Sequence, residues 1–214
     1  MGKEIDLKKG EQSRHVNKAL KAISEGYIIA IPLEHSYAFA CDAFKHDAVR
    51  AMHVLRGDPL FTAAQVLVGS TKTAQGVIRE ITPEIGALMK KFWPGMLSMN
   101  LKPQTGLTWD LGDANQLDRV SVRVPKSKFA KALVLGSGPL AVASAVRVGR
   151  PTPKALSDIL VLDSDLALQF NYGNLRKGPT TTVLEADETG VRVLRIGAIS
   201  LEQIQSVAPG ATAI

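Results

Sequence analysis

Short apolar runs alternate along this chain with segments whose apolar residues recur every three or four positions. Val16, Ala19, Leu20 and Ile23 share one helical face, and Gly26 supplies a C-terminal stop. Residues 27–31, YIIAI, form a β-branched run with the composition of a buried strand. Pro32 ends that run, since it offers no N–H to a ladder and restricts the residue before it. Residues 33–36 carry the chain past the strand end, and residues 37–41 resume an apolar run. Next the pattern predicts a helix over 47–55 with Val49, Met52 and Leu55 inward, closed by Gly57 and Pro59. A strand over 64–68 and a helix over 71–80 follow. Thr82-Pro83 then opens another helix, a capping hydroxyl before a proline at the first helical position, and FWPG at 92–95 ends it.

Strands are expected at 96–101 and 119–124, separated by a Gly- and Asp-bearing loop (106–118) long enough to suggest function. A helix at 127–135, a strand at 140–143 and a brief strand at 159–162 come next. Residues 181–184 and 191–196 read as a hairpin around ADETG, and Ser200 with Gln203 makes a capping box for a last short helix. Helices and strands alternate without a regular period. That favours one α/β domain, with a twisted mixed sheet flanked by helices, over a doubly wound nucleotide fold. Without a repeat or linker to divide it, the chain reads as one domain over 13–207, between a polar arm (1–12) and a tail (208–214).

Composition narrows the class. Apolar content of 45% over 214 residues is ample for a core, and no stretch has the apolar length of a membrane span. The start of the chain does not resemble a signal peptide, and Asp6 stands where a myristoylation signal needs Ser or Thr. A lone Cys41 excludes an internal disulfide, so the expected location is cytoplasmic, with the thiol a small buried hydrophobe. The net charge of +6 favours phosphate-bearing partners, nucleotides or RNA. Aromatic content of 5% argues against a stacking platform for single strands.

The chain has no GxGxxG after a strand, no GxxxxGK[ST] and no paired-ligand metal spacing. His15, His35, His46 and His53 are scattered, and His35 beside Ser36 makes no triad, because neighbours in a turn seldom point at one another. Two features remain. Glu34, His35, Ser36 and Tyr37 lie at the mouth of a hydrophobic strand, where small-ligand sites usually sit. Arg56, Arg123, Arg147, Arg150, Lys154, Arg176, Lys177 and Arg195 lie at or just after element ends, where guanidinium forks can converge on phosphate oxygens.

Five blocks in order carry a resemblance: IPLEHSYAFACDAF (31–44), LRGDP (55–59), FWPGMLSMNL (92–101), VSVRVP with SAV…GRP (120–125, 144–151), and GPTTTVLEA with VLRIGAI (178–186, 193–199). Together they resemble the YrdC/YciO family, whose best-known members are threonylcarbamoyl-AMP synthases, over about residues 16–199. The resemblance implies a twisted sheet lining a basic concave cavity. It points to a nucleotidyltransferase that joins L-threonine, bicarbonate and ATP into threonylcarbamoyl-adenylate and pyrophosphate, commonly with Mg2+, for N6-threonylcarbamoyl modification of tRNA adenosine. It names no catalytic residue. By motif position it assigns Arg56, Ser98, Ser144 and Arg195 to ATP and phosphate, and His35, Tyr37, Arg123, Thr181 and Thr182 to the amino acid.

This sequence also departs from the family pattern. Leu33 and His35 replace two threonines, Ala38 replaces glycine, Val146 replaces the asparagine of S-A-N, and Arg56-Gly57-Asp58 replaces a basic pair. A carboxylate in place of a phosphate-facing cation predicts repulsion of nucleotide, or else a Mg2+ ligand. Tyr37-Ala38, Arg56…Pro59 and the run 179–183 resemble the YciO-like branch. Three readings therefore stand: a threonylcarbamoyl-AMP synthase or diverged paralogue; a binder of tRNA or double-stranded RNA without synthase activity; and an ATP-dependent enzyme on another small substrate.

Overall fold

A computed structural model describes residues 3–116, 118–160 and 166–214. Its strands are β1 (Lys3–Asp6), β2 (Ile29–Pro32), β3 (Tyr37–Asp42), β4 (Gln65–Leu67), β5 (Leu97–Leu101), β6 (Val120–Arg123), β7 (Leu140–Ser144), β8 (Leu168–Asn171), β9 (Thr182–Asp187), β10 (Gly190–Arg195) and β11 (Thr212–Ala213). The helices are α1 (Gln12–Ser24), α2 (His46–Arg56), α3 (Thr71–Gln75), α4 (Pro83–Phe92), α5 (Lys128–Ser137) and α6 (Leu201–Gln205). All eleven strands join one sheet in the order β1-β8-β2-β3-β7-β4-β6-β5-β9-β10-β11. Its ladders are mixed: β2–β3, β3–β7, β4–β7, β5–β6 and β9–β10 run antiparallel, while β4–β6 and β5–β9 run parallel. The α/β mixed-sheet expectation is met.

Strand alternation sorts the core into two layers. Ile29, Ile31, Ala40, Leu67 and Val142 pack on one face against α1 and α5 through Ala19, Ile23, Phe129, Leu133 and Val134. Ala30, Phe39, Cys41, Val66 and Val68 point the other way, into a larger cluster with α2 and α4 through Val49, Met52, Ile85, Leu88 and Met89. The central strands β2, β3 and β7 are therefore mostly apolar, because both of their faces are covered. Burial pushes the Cys41 thiol up to about 12, helped by Asp42, so the thiol is inert packing.

Helix starts follow local chemistry. The Thr82, Ser127 and Ser200 hydroxyls accept from the amides of Ile85, Ala130 and Gln203. Gly57 ends α2 in the left-handed conformation (φ 66°), as its place in the sequence predicts.

Several expectations need correction. Tyr27 is half exposed and the strand begins at Ile29, while Pro32 still pairs with Tyr37 as the last residue of β2. The helix expected over 71–80 stops at Gln75, because Ile78 leaves to bridge Pro103. Of the strand expected at 159–162, Ile159 and Leu160 follow a 3-10 turn at Leu156–Asp158 without pairing, and 161–162 lie outside the described residues. Strands β1, β8 and β11 arise in polar segments for which the pattern predicts none.

Replacing Thr82 by alanine is expected to lower unfolding free energy by about 1 kcal/mol, the usual cost of an N-cap, with an unchanged m-value in urea titration.

Candidate functional site

The β2–β3 turn lies at the edge of a cavity of about 530 Å3. Glu34 and His35 come from that turn, Gln65 from β4, Arg123 from the end of β6, and Ser144 from the end of β7. Lys154, Lys177 and Thr181 come from two loops, and Arg195 from the end of β10. The sheet thus gathers strand ends from distant parts of the sequence around one opening, as the placement of the basic residues predicts.

Five of the nine positions assigned by motif line this cavity: His35, Arg123, Ser144, Thr181 and Arg195. Ser144 Oγ is buried with no hydrogen-bond partner among the described residues. Arg195 donates to the carbonyl and hydroxyl of Thr181, which orients its guanidinium at the rim. His35 Nδ1 lies 3.2 Å from the Arg176 carbonyl, which only accepts, so this nitrogen carries the hydrogen. A Cβ on Gly178 would stand 2.4 Å from the His35 ring, so only glycine lets this loop approach so closely.

Arg123 is 3% exposed and already engaged: it donates to the Gly95 carbonyl at 2.7 Å and is ion-paired with Glu34. Glu34 Oε1 also accepts from the amides of Lys126 (2.6 Å) and Ser127 (3.2 Å). Burial works to raise the Glu34 pKa, but the charge and hydrogen bond of Arg123 and these amides outweigh it and hold the carboxyl below its usual range.

The other four positions do not line the cavity. Tyr37 is fully buried, its hydroxyl donating to the Gly173 carbonyl at 2.8 Å and accepting from the Tyr172 amide. Ser98 accepts from Gln65 Nε2 at 2.8 Å within the sheet. Thr182 Oγ1 donates to the Ile199 carbonyl and accepts from the amides of Gly197 and Ile199. Arg56 grips Asp58 with both Nε (2.8 Å) and Nη2 (3.0 Å), and Nη1 donates to the carbonyls of Ser144 and Val146.

The Arg56–Asp58 geometry corrects the expectation that Asp58 faces a phosphate or a metal. The Asp58 side chain is 2% exposed and also accepts from His53 Nδ1 at 2.8 Å, so its charge is spent inside the chain. His53 Nε2 in turn holds the Leu111 carbonyl at 2.8 Å, and His46 Nε2 holds that of Thr108 at 2.6 Å. Both histidines thereby anchor the loop 106–118, which packs Trp109 and Leu111 into the core, and none of its described residues lines the cavity. Among the described residues no group of three or more His, Cys, Asp or Glu is arranged to hold a metal ion.

Lys154 and Lys177 have no role in the motif reading, yet they line the cavity and make no ion pair among the described residues. Arg147 and Arg150 line an adjoining hollow of about 570 Å3 that shares Pro151 and Thr152 with the first. Cations on one wall and hydroxyls on another can neutralise and orient a polyanion.

Burial pushes the Asp58 carboxyl up, but hydrogen bonds and charge from Arg56 and His53 more than reverse this, leaving its pKa below the ordinary carboxylate value of 3.8. A lowered folded-state value adds stability above the unfolded pKa, and that stability is lost as pH falls through the folded one. Asp58→Asn is therefore expected to destabilise the chain near neutral pH and to flatten the acid limb of stability below about pH 4, read by urea titration across pH. Thr182→Val strands two amides and a carbonyl in the core. It is expected to cost about 2–4 kcal/mol in the same assay.

Comparison with known proteins places the chain in a family. The family model Sua5/YciO/YrdC, described as "Telomere recombination", matches residues 21–197. A protein of Mycobacterium tuberculosis provisionally named threonylcarbamoyl-AMP synthase is 32% identical over 198 residues, 92% of this chain and 90% of its own length. The threonylcarbamoyl-AMP synthase of Pyrococcus abyssi is 27% identical over 95% of this chain and 60% of its own. Among solved structures, P. abyssi Sua5 complexed with L-threonine superposes on all of this chain with a TM-score of 0.88 at 25% identity, and this chain spans 62% of it. Escherichia coli YciO superposes on 95% of this chain with a TM-score of 0.80 at 20% identity, a likeness of fold. The chain belongs to the Sua5/YciO/YrdC family.

Proposed function

We propose that this chain is a threonylcarbamoyl-AMP synthase-like enzyme that joins L-threonine, bicarbonate and ATP into threonylcarbamoyl-adenylate and pyrophosphate, in service of tRNA modification. The observation that carries the reading is the cavity of about 530 Å3 lined by Arg195, Lys154, Lys177 and Ser144, whose hydroxyl is unpartnered among the described residues, in a chain 32% identical to a relative of that name. In this reading the threonine amine captures CO2 released from bicarbonate. A carbamate oxygen then attacks the α-phosphorus, and the bond to the bridging oxygen breaks to release pyrophosphate.

That reaction asks the protein for positioning and charge neutralisation more than for a nucleophile of its own. Lys154, Lys177 and Arg195 would neutralise the triphosphate, and Ser144 would hydrogen-bond a phosphate oxygen. His35 and Thr181 would line the amino-acid end. Among the described residues the cavity has one lining carboxylate, Glu34, which is held by Arg123 and two backbone amides and so does not fit a Mg2+ ligand.

Two measurements test the reading. Purified chain given L-threonine, bicarbonate, Mg2+ and ATP is expected to release pyrophosphate in a threonine-dependent manner, and Arg195→Ala to lower kcat/KM at least about tenfold, as expected for one lost charge-assisted hydrogen bond. No threonine-dependent release above the protein-free blank would end the synthase reading.

A further inference from the structure

A second cavity of about 380 Å3 lies on the other side of the β2–β3 turn, sharing Leu33 and Glu34 with the first. Its walls include Leu7, Leu33, Phe129 and Leu175, and His15 and Lys128 are among its polar lining groups. His15 comes from α1 and is 7% exposed. Its Nε2 lies 2.7 Å from the Lys9 carbonyl, which only accepts, so that nitrogen carries the hydrogen. In the neutral ring Nδ1 is then an acceptor, and it is buried without a partner among the described residues. A buried acceptor of this kind is costly to leave unmade.

The start of α5 supplies the opposite chemistry. Lys128 and Phe129 are its first two residues, and their amides find no acceptor among the described residues, as first-turn amides have no intrahelical partner. Glu34 takes the two amides before them, with its charge countered by Arg123. The Lys128 ammonium makes no ion pair among the described residues. One cavity therefore combines free amides and a cation for a carboxylate, apolar walls for a hydrocarbon body, and a buried acceptor for one N–H or O–H group.

We infer that this second cavity binds a small apolar 2-amino or 2-hydroxy acid, its carboxylate at the start of α5 and its amino or hydroxyl hydrogen on His15 Nδ1. Because Glu34 belongs to both cavities and holds Arg123, occupancy here bears directly on a wall of the first cavity.

The test is calorimetric titration of the full chain with L-leucine and L-2-hydroxyisocaproate. Isocaproate, which lacks the donor, and L-leucinamide, which lacks the carboxylate, serve as controls. At least one of the two acids is expected to bind, with both controls about tenfold weaker, the loss expected for one unmade bond to a buried group. His15→Gln keeps a donor for the Lys9 carbonyl but carries its acceptor, Oε1, away from the Nδ1 position, and is expected to reduce the acid to the affinity of isocaproate. Lys128→Gln, at an exposed position, is expected to weaken both acids and isocaproate while sparing L-leucinamide. No binding of either acid at millimolar concentration, or full affinity in His15→Gln, would overturn the inference.

Discussion

The carboxylate of Glu34 sits where three distant parts of the chain meet: the β2–β3 turn, the end of β6 and the start of α5. Taking such a charge out of water costs several kcal/mol, and the cost is met only when every oxygen finds a donor. Here one oxygen takes two backbone amides and the other takes Arg123, which is itself fixed on the Gly95 carbonyl. Because the arrangement leaves no slack, it sets the position of the turn, and the turn divides two cavities. It also bears on what Arg123 can do: a guanidinium whose charge is already paired with a carboxylate offers a ligand less than a free one.

The same accounting applies to Arg56. Its place in the sequence says only that a cation stands at the end of α2, and Asp58 two residues later looks like a repulsive neighbour for any phosphate. In the folded chain the two charges neutralise each other, with His53 as a third member and the Ser144 and Val146 carbonyls taking the remaining donor. The pair clasps α2 to the loop after β7 and so shapes the cavity edge without contributing net charge to it. The charge a ligand would meet comes instead from Lys154, Lys177 and Arg195. The cavity keeps its basic character in this chain through Arg195, a motif position, together with two lysines that the motif positions do not name.

What the sequence discloses and what it hides divide along one physical line. Thr82, Ser127 and Ser200 are legible because a cap satisfies amides only three residues away. The runs around Ile29 and Phe39 are legible because burial on both faces keeps them almost wholly apolar. Strands β1 and β8 are not legible: KEID and LQFN become strands only by pairing with each other and with β2. The site follows the same rule. That His35, Arg123, Ser144, Thr181 and Arg195 converge was legible from their places at element ends within an ordered set of blocks. That Tyr37, Ser98 and Thr182 turn inward was not, because the partners of their hydroxyls at Gly173, Gln65 and Ile199 are chosen by the fold.

This division explains why family membership and chemistry have to be argued separately here. The fold is shared with relatives over nearly the whole chain. The chemistry needs unspent charge in one space, a property of pairs of residues that no single motif position reports. A synthase that relies on positioning tolerates a change of which side chain carries the charge, provided the total facing the triphosphate is kept. It does not tolerate losing the amino-acid end of the cavity, and there His35, held by the Arg176 carbonyl and backed by Gly178, stands in place of a small hydroxyl. A ring of that size, fixed by a hydrogen bond and closed in from behind, leaves less room than a threonine side chain would. In the proposed reading, the identity of the amino acid turns on His35, and nucleotide chemistry on Lys154, Lys177 and Arg195.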